Sequence, residues 1–252
     1  MKIIISPSKS LDLKTSCFQG VRTTLPLFLE DAEKLMNTLQ KKNPTDLKIL
    51  MNISDKLAHL NWQRNQNWTV QDHEKKGSAA IFTFTGDVYK GFDVKSLSVK
   101  KILHLQKKLS IISGLYGILK PLDKILPYRL EMGTKFGGHL SKNLYDFWGA
   151  KITEILSKEC KNNTLINLAS EEYFKAVQLK NLDVNVITPV FKDTKNGVLK
   201  TIGIFAKKAR GMMLRYIIEN NIDTPHKIKH FDGMGYGFDS NLSTEKKWVF
   251  TR

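Results

Sequence analysis

Three short apolar runs constrain the fold of this chain more than any other sequence feature. The run over residues 2–6 is rich in isoleucine and is closed by Pro7, and similar runs cover residues 109–113 and 165–169. Short apolar runs bounded by turn residues are typical of buried strands. Segments with helical spacing lie between them, without a regularly repeated strand–helix unit. We therefore expect a mixed α/β (α+β) fold, with a mixed sheet and surrounding helices in a single compact domain over residues 1–252.

Turn and cap signals predict further elements. Asn196-Gly197 lies between two β-rich runs, residues 184–191 and 198–205, which predicts a hairpin. The alternating segment 79–85 predicts another strand. Helical spacing predicts helices, and a final apolar run predicts a last strand at residues 248–251. The predicted helices cover residues 26–39, 98–109, 149–160, 171–177 and 207–220.

The charge balance of the chain is strongly basic. The sequence holds 40 Lys and Arg residues against 24 Asp and Glu, which gives a net charge of +16. Such a balance is typical of proteins that meet a polyanion, and nucleic acid is the leading candidate. A lysine-rich proteome would raise the charge of every protein in it, so charge alone leaves that alternative open.

The sequence lacks the signals of secreted, membrane and metal-binding proteins. Only three consecutive isoleucines precede Ser6, and no later stretch approaches the length of a membrane span. Cys17 and Cys160 have no partner at metal-ligand spacing, so we expect reduced thiols rather than a disulfide or a zinc site. These features predict a cytoplasmic protein with no membrane contact, no bound metal and no cofactor.

Residues 43–64 have the pattern of two short helices joined by a tight turn. Asn52, Ile53 and Ser54 form the turn, and Lys56 lies in the first turn of the second helix. This spacing resembles the helix-hairpin-helix of DNA repair and replication proteins, although Asn52 and Ser54 stand where glycines are usual. In that motif, turn amides and the second helix's N-terminus hold a phosphate. The alternative is a helical hairpin that only packs in the core.

Glycine, aromatic and ionisable residues cluster at predicted turns and strand ends. Glycines there let a ligand phosphate approach the backbone, so we expect a basic, aromatic-rimmed cleft. Lys207, Lys208 and Arg210 fall at the start of a predicted helix, where an anion is favoured. Tyr89 or Tyr116 would stack on an unpaired base. The other cleft candidates are Ser6, Lys9, Asp87, Arg129, Glu131, Asn167, Ser170 and Tyr173.

Several longer segments occur in order along nearly the whole chain: ISPSKSLD, ISDKLAHLN, FTGDVYKGF, SGLYGILKPLD, PYRLEMG, LYDFWG, NLASEEYFKAV and AKKARGMMLRYIIEN. In this combination the sequence resembles the YaaA family of bacterial proteins. The resemblance implies a role in resistance to hydrogen peroxide, through restraint of free iron and of the resulting DNA damage. It also implies a single-domain α/β fold with a positively charged cleft, a helix-hairpin-helix motif at residues 51–60, and binding to double-stranded DNA, including distorted or branched forms.

Together, the residues and the resemblance predict a DNA-binding protein of the peroxide stress response. It would grip duplex or distorted DNA through backbone phosphates, with no obligate protein partner evident. The alternative is an enzyme that acts on nucleic acid or a nucleotide, because the cleft candidates include general acids, bases and anion-stabilising groups. The common motifs of NTPases, dinucleotide-binding proteins, metalloproteases and hydrolases do not occur in the sequence. Two isolated cysteines and scattered histidines argue against direct iron storage.

Overall fold

Strands and helices are interspersed along the chain, as the apolar runs predict. The structure is a computed structural model, which describes residues 1–14, 20–136, 141–160 and 164–252. The strands are β1 (Lys2–Ile5), β2 (Ser10–Leu11), β3 (Ser78–Ala79), β4 (Phe84–Thr85), β5 (Leu109–Ser113), β6 (Gly117–Leu119), β7 (Lys124–Ile125), β8 (Thr164–Asn167), β9 (Asn185–Lys195), β10 (Val198–Lys200), β11 (Gly237–Asp239) and β12 (Lys247–Thr251).

The helices vary from single turns to the long helix near the C-terminus. The α-helices are α1 (Leu29–Gln40), α2 (Pro44–Met51), α3 (Asp55–Gln66), α4 (Asp72–Lys76), α5 (Ala80–Thr83), α6 (Asp87–Phe92), α7 (Val99–Lys108), α8 (Leu144–Trp148), α9 (Lys151–Cys160), α10 (Glu171–Phe174) and α11 (Gly203–Glu219). Short 3₁₀ helices cover Val94–Ser96, Leu179–Asn181, Pro225–His230 and Gly233–Gly235.

The main sheet is built around β1. Within the described ranges its order is β11-β12-β9-β8-β1-β5-β6, with β10 paired to the end of β9. β1 is parallel to both of its neighbours, so that Ile4 lies opposite Ser110 of β5 and Asn167 of β8. β6, β10 and β11 are antiparallel to their partners. The predicted α/β class with a mixed sheet is therefore confirmed.

The strand order reverses at β1. From β1 the chain passes to β5 on one side of it, and it later returns in β8 on the other side. Such a reversal is the topological switch point of an α/β sheet, where a crevice opens beyond the carboxyl ends of the strands. The fold therefore favours a ligand site beside the residues that follow β1 and β8.

One hydrophobic core cluster runs from the first strand to the last. Ile3, Ile4 and Ile5 of β1 lie in it, together with Trp148 of α8 and Phe250 of β12. The apolar run at the start of the chain is thus covered on both faces, as its lack of alternation predicts. Burial of this kind supplies most of the favourable free energy of folding.

Two further sequence predictions concern thiols and membrane segments. Cys160 is buried at the end of α9, where burial raises the pKa of its thiol to about 11. Cys17 lies outside the described residues. No helix in the described part of the chain is both long and apolar enough to span a bilayer.

The alternating segment 79–85 does not form the predicted strand. In its place the chain forms β3, the helical turn α5 and β4. The Ala80 N–H donates to the Asp123 carbonyl oxygen at 2.8 Å. The Ile81 N–H donates to the Pro121 carbonyl oxygen at 2.9 Å. These hydrogen bonds to a distant loop replace a strand ladder, because strand propensity yields to tertiary context.

The predicted hairpin at Asn196-Gly197 is confirmed, but its second strand is short. Both turn residues have positive φ, 54° and 73°, as a two-residue hairpin turn requires. β10 ends at Lys200, and helix α11 begins at Gly203 rather than at residue 207. The apolar residues that resemble a strand over 198–205 in fact include the first turn of a helix.

This earlier helix start corrects one prediction about charge. Lys207, Lys208 and Arg210 lie beyond the first turn of α11, not at its N-terminus. The N–H groups of a helix that lack a partner are those of its first four residues. These three side chains can therefore act as cations, but the unpartnered N–H groups of the helix N-terminus do not lie beside them to bind the same anion.

Candidate functional site

A cleft of about 350 Å³ opens at the carboxyl ends of β1 and β8. Ser6 directly follows β1, and Ser170 comes shortly after β8. The Ser170 N–H donates to the Ser6 hydroxyl oxygen at 2.8 Å, and the Ser6 hydroxyl lies 3.2 Å from the Ser170 hydroxyl. Both residues line the cleft, which thus lies at the topological switch point of the sheet.

One wall of the cleft comes from the start of α6. Gly86 precedes the helix with φ of 138°, and Asp87 is the first helical residue. The Asp87 side chain forms no hydrogen bond or ion pair with any described residue. Tyr89 is buried, and its hydroxyl donates to the Ser6 carbonyl oxygen at 3.0 Å. Burial raises the pKa of this phenol, so Tyr89 is a neutral donor that fixes the cleft floor.

A second wall comes from α11, which supplies Lys207 and Arg210. Helix α11 packs against α6 at close range, and a Cβ at Gly211 would overlap the Val88 carbonyl oxygen. A Cβ at Gly91 of α6 would likewise overlap the Lys208 carbonyl oxygen. Two glycines therefore let the backbones meet, which fixes the position of α11 relative to α6 beside the cleft.

Arg210 is the most unusual side chain of the cleft. Its guanidinium forms no hydrogen bond or ion pair with the described part of the chain. Burial lowers its pKa, but a guanidinium remains cationic at neutral pH. A largely desolvated cation without a counterion attracts an anion strongly. Lys207, one helical turn earlier, is exposed at the mouth of the same cleft.

An ion-pair cluster forms the rim. Lys9 Nζ lies 2.5 Å from a carboxylate oxygen of Glu131, and Arg129 Nη2 lies 2.9 Å from the other. The Nε of Arg129 is buried and has no hydrogen-bond partner among the described residues. All three predicted residues are thus brought together, and their charges sum to +1. Because Glu131 engages both cations, this cluster is a weaker anion site than Arg210.

The predicted helical hairpin is present in α2 and α3. Asn52 joins the helices with φ of 48°, the left-handed conformation that its side chain tolerates. The Ser54 hydroxyl oxygen accepts a hydrogen bond from the Leu57 N–H at 3.4 Å and caps α3. The turn therefore forms without glycines, because Asn52 adopts the left-handed conformation and Ser54 caps the second helix.

The turn amides are not directed outward as the motif predicts. The N–H groups of Asn52 and Ile53 donate back to carbonyl oxygens of α2, at 3.4 and 3.2 Å. They cap the first helix, so they do not face a ligand. The N–H groups of Asp55 and Lys56, in the first turn of α3, have no partner among the described residues. An anion at the hairpin would therefore bind at the N-terminus of α3.

The hairpin and the cleft share one surface. A shallow groove lined by Asn52, Gly133, Glu131 and Glu172 runs beside the turn. Glu131 also lines the rim pocket, and Glu172 also lines the main cleft. Glu172 accepts a hydrogen bond from the Gly133 N–H at 2.8 Å. Sequence reasoning missed Glu172, although it stands between the two predicted residues Ser170 and Tyr173.

Three predicted residues lie elsewhere. Tyr116 is fully buried, and its hydroxyl bonds Trp68, so it cannot stack on a base as predicted. Asn167 is buried at the end of β8 and does not line the cleft, and its side-chain oxygen accepts a hydrogen bond from the Ala169 N–H at 3.0 Å. Lys208 is exposed but does not line the cleft. Tyr89 lines the cleft, yet its burial also prevents stacking.

The last predicted residue, Tyr173, lines the cleft with only 8% of its surface exposed. Burial raises the pKa of its phenol, so the side chain is neutral. Among the described residues, no three His, Cys, Asp or Glu side chains are grouped so that they could hold a metal ion. The cleft thus combines cations, hydroxyl groups and two carboxylates around a neutral floor.

Comparison with known proteins agrees with the resemblance of the sequence. The family described as "Peroxide stress protein YaaA" matches residues 1–242. A UPF0246 protein of Flavobacterium johnsoniae is 52% identical over 253 residues and covers the whole of both chains. A UPF0246 protein of Teredinibacter turnerae is 49% identical over 255 residues, which is all of this chain and 99% of the relative. The chain therefore belongs to the peroxide stress protein YaaA family.

Proposed function

We propose that this protein binds duplex or distorted DNA through its backbone phosphates, and that this binding limits iron-dependent oxidative damage during peroxide stress. One observation carries the proposal. Lys56, Lys207 and Arg210 have no carboxylate partner in the described part of the chain. Lys207 and Arg210 line the cleft, and Lys56 lies in the first turn of α3, just after Asn52, which lines the groove that shares Glu172 with the cleft. Cations in this state are available to a polyanion.

The hairpin supplies the first contact. A phosphate at the N-terminus of α3 would accept from the Asp55 and Lys56 N–H groups and face the positive end of the helix dipole. The Lys56 side chain is exposed beside it. The Asp55 carboxylate opposes an anion there, but Lys48 pairs with it at 3.0 Å. The hydrogen bond and charge of Lys48 lower the pKa of Asp55, and the positive charge of Lys48 partly offsets the carboxylate.

The cleft supplies the second contact. Arg210 and Lys207 lie on the wall formed by α11, across Glu172 from the groove of the hairpin. The groups offered at both places are cations and backbone N–H groups, which suit phosphates. Binding should therefore depend weakly on sequence and steeply on salt concentration.

The decisive experiment measures DNA binding by fluorescence anisotropy across a salt series, with plain duplex, bulged duplex and single-stranded DNA. Lys56→Glu and Lys207→Glu should weaken binding to every sequence and reduce the salt slope by about one each. Lys100→Glu is the matched control, because Lys100 is exposed on α7 and borders neither the cleft nor the groove. Unchanged affinity and slope in both variants would overturn the assignment of residues, and no binding at low salt would overturn the function.

Protection of DNA is tested separately. Plasmid DNA is exposed to ferrous iron and hydrogen peroxide, with and without the protein, and strand breaks are counted. We expect fewer breaks with the protein than with an equal concentration of the Lys56→Glu, Lys207→Glu double variant. Equal protection by both proteins would show that any effect on damage does not depend on DNA binding.

A further inference from the structure

We propose that the cleft beside β1 and β8 binds one nucleoside monophosphate unit, with the phosphate at Arg210 and the sugar or base at Asp87. The unit is either a free mononucleotide or a single nucleotide that leaves the stack of a DNA strand. The second form rests on the proposed DNA binding, whereas the first does not.

The phosphate end is assigned from Arg210. Of the other partly buried arginines, Arg129 pairs with Glu131, Arg215 with Glu219 and Arg252 with Asp193. Arg64 has no carboxylate among the described residues, but it donates a hydrogen bond to the Asn61 side-chain oxygen at 3.3 Å. Arg210 is partly buried in the same way and has no such partner among the described residues. A guanidinium matches two oxygens of a phosphate, so a bound phosphate would supply the missing counterion. Lys207 stands at the mouth of the cleft as a second cation.

The other end is assigned from Asp87. Asp87 and Arg210 line the same cleft, yet no ion pair within 4.0 Å joins them. Two opposite charges that do not meet across a cleft leave room for a ligand that satisfies both. A carboxylate accepts hydrogen bonds from sugar hydroxyl groups or from base N–H groups. Inorganic phosphate would satisfy Arg210 but would be repelled by Asp87, so the site favours a ligand with both an anionic and a donor end.

Size and surroundings agree with one nucleotide. The cleft holds about 350 Å³, at the lower end of the range of about 300–1,000 Å³ for small-molecule pockets. That volume excludes a duplex, which can only contact the surface outside. The Ser6 and Ser170 hydroxyl groups line the floor and offer further hydrogen bonds. The groove beside the hairpin shares Glu172 with the cleft, so a DNA strand held at α3 would lie near the mouth of the cleft.

Isothermal titration calorimetry of the full chain with the four deoxynucleoside monophosphates tests the site, with inorganic phosphate and deoxyadenosine as reference probes. We expect a monophosphate to bind more tightly than either reference. Arg210→Gln should weaken it by about tenfold or more, the loss expected for a charged hydrogen bond. Asp87→Asn should weaken monophosphate binding but strengthen phosphate binding, an opposite response that general damage to the fold cannot produce. Lys100→Gln, the control, should change neither monophosphate binding nor phosphate binding.

The two sources of the nucleotide are separated with DNA. If the nucleotide belongs to a strand, deoxynucleoside monophosphate should compete with bulged duplex, and Arg210→Gln should remove any preference for bulged over plain duplex. If the ligand is free, monophosphate binds without affecting either DNA. If the protein binds monophosphate but does not bind DNA, the proposed function is wrong and the nucleotide site is still supported. Monophosphate binding no tighter than that of inorganic phosphate, and unaffected by both substitutions, would overturn the nucleotide site itself.

Discussion

The backbone N–H of Ser170 donates a hydrogen bond to the side-chain oxygen of Ser6 at 2.8 Å, across 164 residues of chain. This contact ties the end of β8 to the end of β1, beyond the last backbone pairing of the two strands. Tyr89 adds a hydrogen bond from α6 to the Ser6 carbonyl oxygen. Ser6 is thus the residue at which three elements of the cleft meet.

Ser6→Ala should lower the free energy of unfolding by about 1–2 kcal/mol, because it leaves a partly buried N–H without an acceptor. We also expect weaker DNA binding, since the two strand ends would separate. Urea unfolding and anisotropy titrations measure the two effects. Ser10→Ala is the control, because Ser10 is exposed on β2. If Ser6→Ala is as stable as the parent, water replaces the hydroxyl as the acceptor for the Ser170 N–H, and the contact does not stabilise the fold.

Gly211→Ala should destabilise the protein by about 2 kcal/mol or more, because the new methyl group overlaps the Val88 carbonyl oxygen and forces α11 away from α6. Arg210 would move with the helix, so nucleic-acid affinity should fall as well. Gly203→Ala, in the first turn of the same helix, meets nothing within 4 Å and should be neutral or stabilising. Thermal unfolding of both variants checks the prediction, and equal melting temperatures would contradict it.

Tyr116→Phe should cost stability without affecting binding. Trp68 Nε1 and the Leu126 N–H both donate to the Tyr116 hydroxyl oxygen, at 3.0 and 3.2 Å, so the hydroxyl donates in turn to His73 Nε2 at 3.0 Å. Removal of the hydroxyl leaves buried polar groups unpaired, at a cost of about 2–4 kcal/mol. The DNA affinity of the folded variant should match that of the parent.

Tyr216→Phe is the control for that variant, because within the described ranges the Tyr216 hydroxyl makes a single, long hydrogen bond of 3.4 Å to the Lys227 carbonyl oxygen. It should change the free energy of unfolding by less than about 0.5 kcal/mol. A loss of DNA affinity in Tyr116→Phe at full stability would show that the Tyr116 hydroxyl takes part in binding, in contradiction to its burial.

Asp123 makes stability depend on pH. Burial raises the pKa of its carboxyl to about 6, although the carboxylate accepts hydrogen bonds from Thr24 and Lys120. The folded pKa lies above the ordinary value of 3.8, so the folded state holds the proton more tightly. The stabilising contribution is present below pH 4 and is lost as the pH rises through 6. As the pH rises from 4 to above 6, the free energy of unfolding of the parent should fall by up to about 3 kcal/mol relative to that of Asp123→Asn. A pH-independent difference would contradict this.

Local chemistry was sufficient where an element depends on its own residues. The Asn196-Gly197 turn folds as predicted because both residues accept positive φ. Asn43 caps α2 through its side chain, with Pro44 in the first turn, as that dipeptide indicates. The isoleucines of β1 form a strand covered on both faces because no polar residue interrupts them.

Tertiary contacts explain why some of the sequence-based predictions are wrong. Residues 79–85 alternate as a strand would, but the loop at Pro121 takes the backbone partners that a strand would use. Tyr116 lies between two glycines, a pattern that suits a cleft as well as a core, and only the fold places it beside Trp68. The sequence indicated most residues of the cleft but could not reveal that Arg210 has no counterion among the described residues, because pairing depends on distances.

The arrangement of the cleft also governs when it can form during synthesis. Its parts come from both ends of the chain: Ser6 follows the first strand, and Arg210 lies on the last long helix. The parallel pairing of β1 with β8 must wait until residue 167 has left the ribosome, since contacts so distant in sequence form late and slowly. A nascent or truncated chain that ends before α11 contains the residues of the hairpin but not Arg210. The cleft can therefore be completed only in a chain that has been almost entirely made.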